Sequence, residues 1–147
     1  VADDADIDEL IDSVVQQGLD DWIPLAGVDA PLHFYGWIDP SDIEDTARGI
    51  EHLVRELLAR DLVVIGNDRF NDDGSFRAFD GDQETAIAWL IGVVRGQEPS
   101  WDFAAWLANT ERGDERARSR PTTRYMDYDP LEDPWPRPAP GLPEDRR

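Results

Sequence analysis

Residues 40–66 read PSDIEDTARGIEHLVRELLARDLVVIG, and the two ends of this stretch ask for different secondary structure. Ser41 and Glu44 stand in Ser-x-x-Glu spacing, a capping box in which the two side chains reciprocally satisfy orphan amides, so a helix is predicted over about 42–60. Ile43, Ala47, Ile50, Leu53, Val54, Leu57 and Leu58 fall on one apolar stripe. Glu44/Arg48, Glu51/Arg55 and Glu56/Arg60 are i,i+4 pairs in the favourable order. The β-branched run Leu62-Val63-Val64-Ile65 then ends at Gly66, and Asp73-Gly74 turns into Ser75-Phe76-Arg77-Ala78-Phe79 with alternating apolar residues. That pattern predicts a strand, a loop and a second strand.

Working outward, Ile7, Leu10, Ile11, Val14 and Val15 form the stripe of a helix over about 5–17, with Gly18 as its stop. Leu19–Val28 reads as a short helix with Pro24 in its first turn, in preference to an extended link, and His33–Ile38 as strand or packed loop. Asp80 or Asp82 caps a helix over about 83–95 that is apolar all round and therefore expected to be central, with Trp89 in the core. Ser100 caps a further helix carrying Trp101, Phe103, Ala104, Trp106 and Leu107, broken near Gly113, with Trp106 also in the core. Seven of the 11 prolines follow residue 120, too dense for regular helix or sheet. The expected fold class is α+β: a mainly helical single domain over 4–118 with one small antiparallel β-hairpin, followed by a Pro/aromatic-rich C-terminal arm over 119–147. Within that arm Tyr125, Tyr128, Leu131 and Trp135 recur every three or four residues, suited either to docking on the domain or to a peptide-binding module.

A long helix followed by strand, polar turn and strand resembles the end of a winged-helix domain, over residues 42–79. In DNA-binding members of that class the helix before the hairpin enters the major groove. Here residues 42–59 carry Asp42, Glu44, Asp45, Glu51 and Glu56 against Arg48 and Arg55, the wrong sign for phosphate. The resemblance therefore implies a protein-binding descendant ahead of a DNA reader.

Composition narrows the chemistry. The 147 residues carry a formal net charge of -19, which disfavours nucleic acid and anionic membranes as partners. No cysteine is present, so thiolate nucleophiles, thiolate metal sites and disulfides are excluded. All 14 basic residues are Arg, which removes Schiff-base chemistry and a P-loop lysine. His33 and His52 lack the spacing of a zinc motif, no Gly-x-Ser-x-Gly elbow accompanies the serines, and Arg69–Gly74 departs from a calcium loop where an acidic ligand is required. The longest nearly apolar run, Ala86–Val94, is too short for a bilayer. With no basic and apolar leader at Val1–Asp6, the chain is read as soluble and cytoplasmic.

The charge is unevenly distributed: residues 1–47 net -13 with no Arg, residues 48–110 net -5, and residues 111–147 net -1. Within the acidic part, Trp22 follows Asp20 and Asp21, while Tyr35 and Trp37 precede Asp39 and Asp42. Aromatic anchors ringed by carboxylates suit a basic protein partner, the ring supplying buried area and the acids steering. Asp20, Asp21, Trp22, Tyr35, Trp37, Asp39 and Asp42 are therefore the expected partner-binding residues. The expected function is non-catalytic binding of a basic protein, of inhibitor or immunity type, with no cofactor and no metal. The rival readings are a metal- or carboxylate-dependent hydrolase using Asp20, Asp21, Asp72 and Asp73, and a winged-helix-like regulator.

Overall fold

A computed structural model of the chain describes residues 4–66, 73–96, 101–129 and 131, with backbone only for 4–6. Five helices, α1 (Asp4–Gln17), α2 (Ala26–Phe34), α3 (Ile43–Ala59), α4 (Gln83–Arg95) and α5 (Glu111–Ser119), surround a three-stranded antiparallel sheet of β1 (Ile23–Pro24), β2 (Val63–Gly66) and β3 (Trp106–Asn109). The strand order is β1-β3-β2. Ile23 pairs with Leu107, and Ile65 pairs with Leu107 from the other side. The α+β class holds. No helix among the described residues is long and apolar enough to cross a membrane.

The core lies between the inner face of the sheet and α1–α4. Leu10, Ile11, Val14, Ile23, Leu32, Ile50, Leu53, Leu57, Leu90 and Leu107 are fully enclosed, and each such side chain contributes about 1.5–3 kcal/mol relative to exposure. The α3 stripe is as expected, but its cap is not the capping box. Asp42 is the N-cap, its carboxylate accepting from the amides of Glu44 and Asp45 at 3.0 and 3.3 Å. The Ser41 hydroxyl donates instead to Asp39 Oδ1 at 2.7 Å. An ionised acceptor one residue nearer the helix serves both exposed amides and the dipole better than a hydroxyl. Glu44 is thereby freed to reach Arg95 of α4 at 3.0 Å, while Arg55 bridges Glu51 and Glu84. The start of α3 thus faces the end of α4, and the pair runs antiparallel.

Other expectations are corrected as well. The short helix does not begin at Leu19: Ile23–Pro24 joins the sheet, and α2 starts at Ala26 with Pro31 inside it. Pro31 lacks the amide that would bond to Gly27 O, and the Gln17 side-chain amide supplies that donor at 2.8 Å. His33–Ile38 is the end of α2 and its exit. Gly36 at φ +76° allows Gly36 N to reach His33 O and Trp37 N to reach Leu32 O at 2.8 Å, a Schellman stop.

Among the described residues the expected hairpin partner, 75–79, meets β2 at a bridge between Gly66 and Ala78 and a Phe79 N to Ile65 O bond of 2.9 Å. The strand that pairs along β2 is β3, from the segment expected to be helical. Within the described part of that segment Trp101–Phe103 is a 3-10 turn, the expected cap Ser100 lies outside the described residues, and α5, capped by Thr110 through the amide of Gly113, runs unbroken past Gly113. Long-range pairing on both edges of 106–109 outweighs its helical periodicity. Nor is α4 central: Ala86, Ile87, Leu90, Ile91 and Val94 are buried, whereas Ala88 and Gly92 are exposed. Trp89 is half-buried against Phe79, and Trp106 is half-buried on the outer sheet face, so neither ring is in the core. α4 lies along α3, which removes that flank of α3 from the role a groove-reading helix would need.

The α3–β2 corner is the tightest junction. Asp61 sits at φ 56°, and Leu62 N bonds Leu57 O at 3.0 Å. Thr110 Oγ1 donates to Asp61 O at 2.6 Å, and a Cβ on Gly113 would lie 2.1 Å from Leu62 O. Gly113→Ala should therefore lower stability by about 2 kcal/mol through a backbone collision. Asp61→Gly should raise stability by up to about 1 kcal/mol by relieving the left-handed conformation. Chemical denaturation of the two variants checks both signs.

Candidate functional site

The seven expected binding residues occupy two places, because the nine-residue helix α2, about 13 Å long, stands between them. Asp20, Asp21 and Trp22 lie before β1; Tyr35, Trp37, Asp39 and Asp42 lie beyond the far end of α2. All four aspartates are exposed. None has an ion pair among the described residues: Asp21 accepts from Trp22 N at 2.7 Å, Asp39 from Ser41, and Asp42 caps α3. The two hydrogen bonds from Ser41 hold the Asp39 carboxyl below its usual range.

The rings differ in what they are already doing. Tyr35 OH accepts from Tyr125 N at 3.1 Å and lies 3.4 Å from Ser13 Oγ, and Arg124 stands 5.2 Å from its ring centroid. Trp37 stacks on His52 at 5.9 Å, its Nε1 buried with no hydrogen-bond partner among the described residues. Trp22 meets Phe76 at 5.6 Å, at the outer face of the sheet. Tyr35 and Trp37 are thus structural as well as half-exposed.

The first part of the arm, residues 121–129, packs on α1 and α2. Gln16 clasps its backbone with both ends of the amide, donating to Pro121 O at 2.9 Å and accepting from Thr123 N at 3.2 Å. Ser13 Oγ, fully buried, lies 2.7 Å from Thr123 Oγ1. Phe34 receives the rings of Tyr125 and Tyr128 at 5.6 and 5.4 Å. Beside this contact, Asp12 is buried between Arg116 Nε at 2.7 Å and Arg120 Nε at 3.0 Å, and Asp8 joins Arg116 to Arg60. The Arg60 hydrogen bond, foremost, holds the Asp8 carboxyl low. The Trp135 and polyproline segment lies outside the described residues.

One group escaped the sequence reading. Asp29 on α2 is pushed up to about 6 by burial and by the facing charge of Asp102; the Tyr125 phenol, raised chiefly by its own burial, is raised further by Asp29. A lone acid in the apolar run AGVDAPL is the signal that was present. Two shallow grooves open on the surface, about 380 Å³ among Asp42, Glu44, Asp45, Arg48, Glu51 and Arg95, and about 320 Å³ among Asp8, Glu9, Asp12 and residues 120–124. Their arginines Arg48, Arg95, Arg120 and Arg124 are engaged in ion pairs. Among the described residues no three His, Asp or Glu side chains converge as a metal site. Of the hydrolase candidates, Asp73 is exposed at a turn beside Ser75, and Asp72 lies outside the described residues.

No protein-family model matches the chain, no curated protein matches it, and no solved structure matches it.

The folded-state pKa of Asp29 lies above its ordinary 3.8, so ionisation costs nothing below that value and costs progressively more as pH rises through about 6. Asp29→Asn should therefore stabilise the protein at pH 7 by about 1 kcal/mol after discounting for solvent screening. The gain should vanish near pH 4, read from denaturation midpoints at the two pH values.

Proposed function

We propose that the chain is a non-catalytic acidic binding module of the inhibitor or immunity type, soluble and cytoplasmic, that occludes a basic protein partner and does not bind nucleic acid. The observation that carries this reading is the way charge is used. Arg48, Arg55, Arg60, Arg95, Arg116, Arg120 and Arg124 are each held by an acid of the same chain. Asp20, Asp21, Asp39 and Asp42 are exposed and make no ion pair with an arginine among the described residues, and each lies within five residues of an aromatic side chain in sequence. Free carboxylates around an apolar anchor steer and seat a cationic surface. The net charge of -19 adds a long-range attraction for such a partner and a repulsion for phosphate.

Co-purification from the native source, with identification of the captured protein and of the product of the adjacent reading frame, tests the reading. A basic protein bound at one-to-one stoichiometry is expected; an acidic partner, or turnover of a small substrate, counts against it. Changing Asp20, Asp21, Asp39 and Asp42 together to Asn should slow association with that protein by about tenfold or more at low salt and flatten its salt dependence. Asn at position 42 keeps the helix cap, so the far-ultraviolet circular dichroism should not change. Stopped-flow association rates across a salt series read the result.

A further inference from the structure

We infer that the outer face of the three-stranded sheet is where the partner docks, and that its occupant is a basic polypeptide segment bearing a large apolar side chain. This rests on reading the chain as an acidic binding module and selects one of the two acid–aromatic clusters as its contact surface.

Side chains alternate across a strand. Ile23, Val63, Ile65 and Leu107 point into the core and are buried, so Pro24, Val64, Gly66, Trp106 and Ala108 turn outward. In the register, Pro24 and Gly66 flank Trp106, and Val64 flanks Ala108. Two of these outward positions are small. A Cβ on Gly66 would lie 2.5 Å from the Phe76 ring, so the absent side chain makes the space that Phe76 fills. Trp22 then meets Phe76 at 5.6 Å, and Phe103 meets Trp106 at 6.2 Å. The result is an aromatic face built on a rigid sheet. It remains open to solvent at Phe103, 54% exposed, and at Val64, 40% exposed. Clustered large apolar surface of this kind marks contact sites, unlike scattered single residues.

The occupant follows from the charge at the rim. Asp20 and Asp21 adjoin Trp22, and Asp73 stands three residues before Phe76; none has an ion pair among the described residues. Arg77 is the neighbouring cation in sequence. A second copy of this chain would bring like charges together, whereas an Arg- or Lys-bearing segment gains from them. At the other cluster Tyr35 carries the arm through its hydroxyl and Trp37 is stacked on His52, so exposing those rings to a partner would break existing contacts.

Selection of a displayed dodecamer-peptide library on the immobilised full chain tests the assignment. Enriched peptides should carry net positive charge and at least one large apolar residue. Phe103→Ala, and separately Val64→Arg, which sets a like charge against a basic ligand, should each weaken the synthetic peptide by about tenfold or more. Glu115→Gln, at an exposed position of α5, should leave that affinity unchanged. Both sheet-face positions are exposed, and circular dichroism verifies folding of each variant. Basic peptides indifferent to Phe103 and Val64 overturn the sheet-face assignment and leave the acidic-module reading standing. Enrichment of acidic or uncharged peptides, or no enrichment, overturns both.

Discussion

The hydrogen bonds that β3 makes along both edges hold the rest of the fold in register. Residues 106–109 pair with residues 23–24 on one side and 63–66 on the other, joining three parts of the chain that are distant in sequence. Closing such loops costs entropy before any contact rewards it, and the reward is the inward row Ile23, Leu107 and Ile65 against the helices. Thr110, immediately after β3, secures the strand to the α3 exit. Its amide donates to Leu62 O at 3.0 Å, its hydroxyl donates to Asp61 O, and the same oxygen caps α5. Asn109 beside it reaches Val15 O at 2.8 Å and so ties the sheet to the end of α1. One short strand thereby places α1, α3 and α5 relative to one another.

Several arginines of the described residues are held by acids of the same chain, which leaves an acidic exterior with a pattern. Arg116 of α5, with Arg120 and Arg124 after it, closes onto Asp8, Glu9 and Asp12 of α1, where no arginine is near in sequence. Arg55 of α3 reaches Glu84 of α4, and Arg95 of α4 reaches Glu44 of α3. Asp12 is buried at 7% side-chain exposure with two guanidinium partners, a geometry in which removing one partner costs far more than the pair contributes. Among the acids that make no ion pair with another described residue, Asp20 and Asp21 stand before β1 and Asp39 and Asp42 beyond α2, and the aromatic outer face of the sheet lies on the Trp22 side.

How much was legible depended on the range of the interaction. The stripe Ile43–Leu58 and the stripe Ile7–Val15 are local periodicities, and both helices are where that periodicity puts them. An aspartate cap at Asp80 or Asp82 also follows from local sequence, and the fold takes Asp82. The competition between Ser41 and Asp42 was not decided by spacing, since both fit a cap and only the backbone geometry, with Asp39 bonding Ser41, separates them. The residues 101–107 carry helical spacing and still include a strand, because the edges of β1 and β2 supply hydrogen bonds that a local pattern does not register. Asp29 is perturbed first by burial and then by the charge of Asp102, and both arise only once the fold has closed around α2.

By itself the sequence determined the α+β class, the amphipathic helices, the excess of carboxylates toward the amino end and the chemistries ruled out by the absence of cysteine and lysine, since each depends on composition or on spacing within one segment. Tertiary structure decided which strand pairs with β2, which ring is exposed and which is committed to packing, and which acid keeps a cation. Those are contests between groups far apart in the chain, settled by burial and hydrogen bonding once the sheet has closed. The seven residues that looked like one acidic, aromatic site in the sequence became two, because the helix α2 stands between them as a spacer.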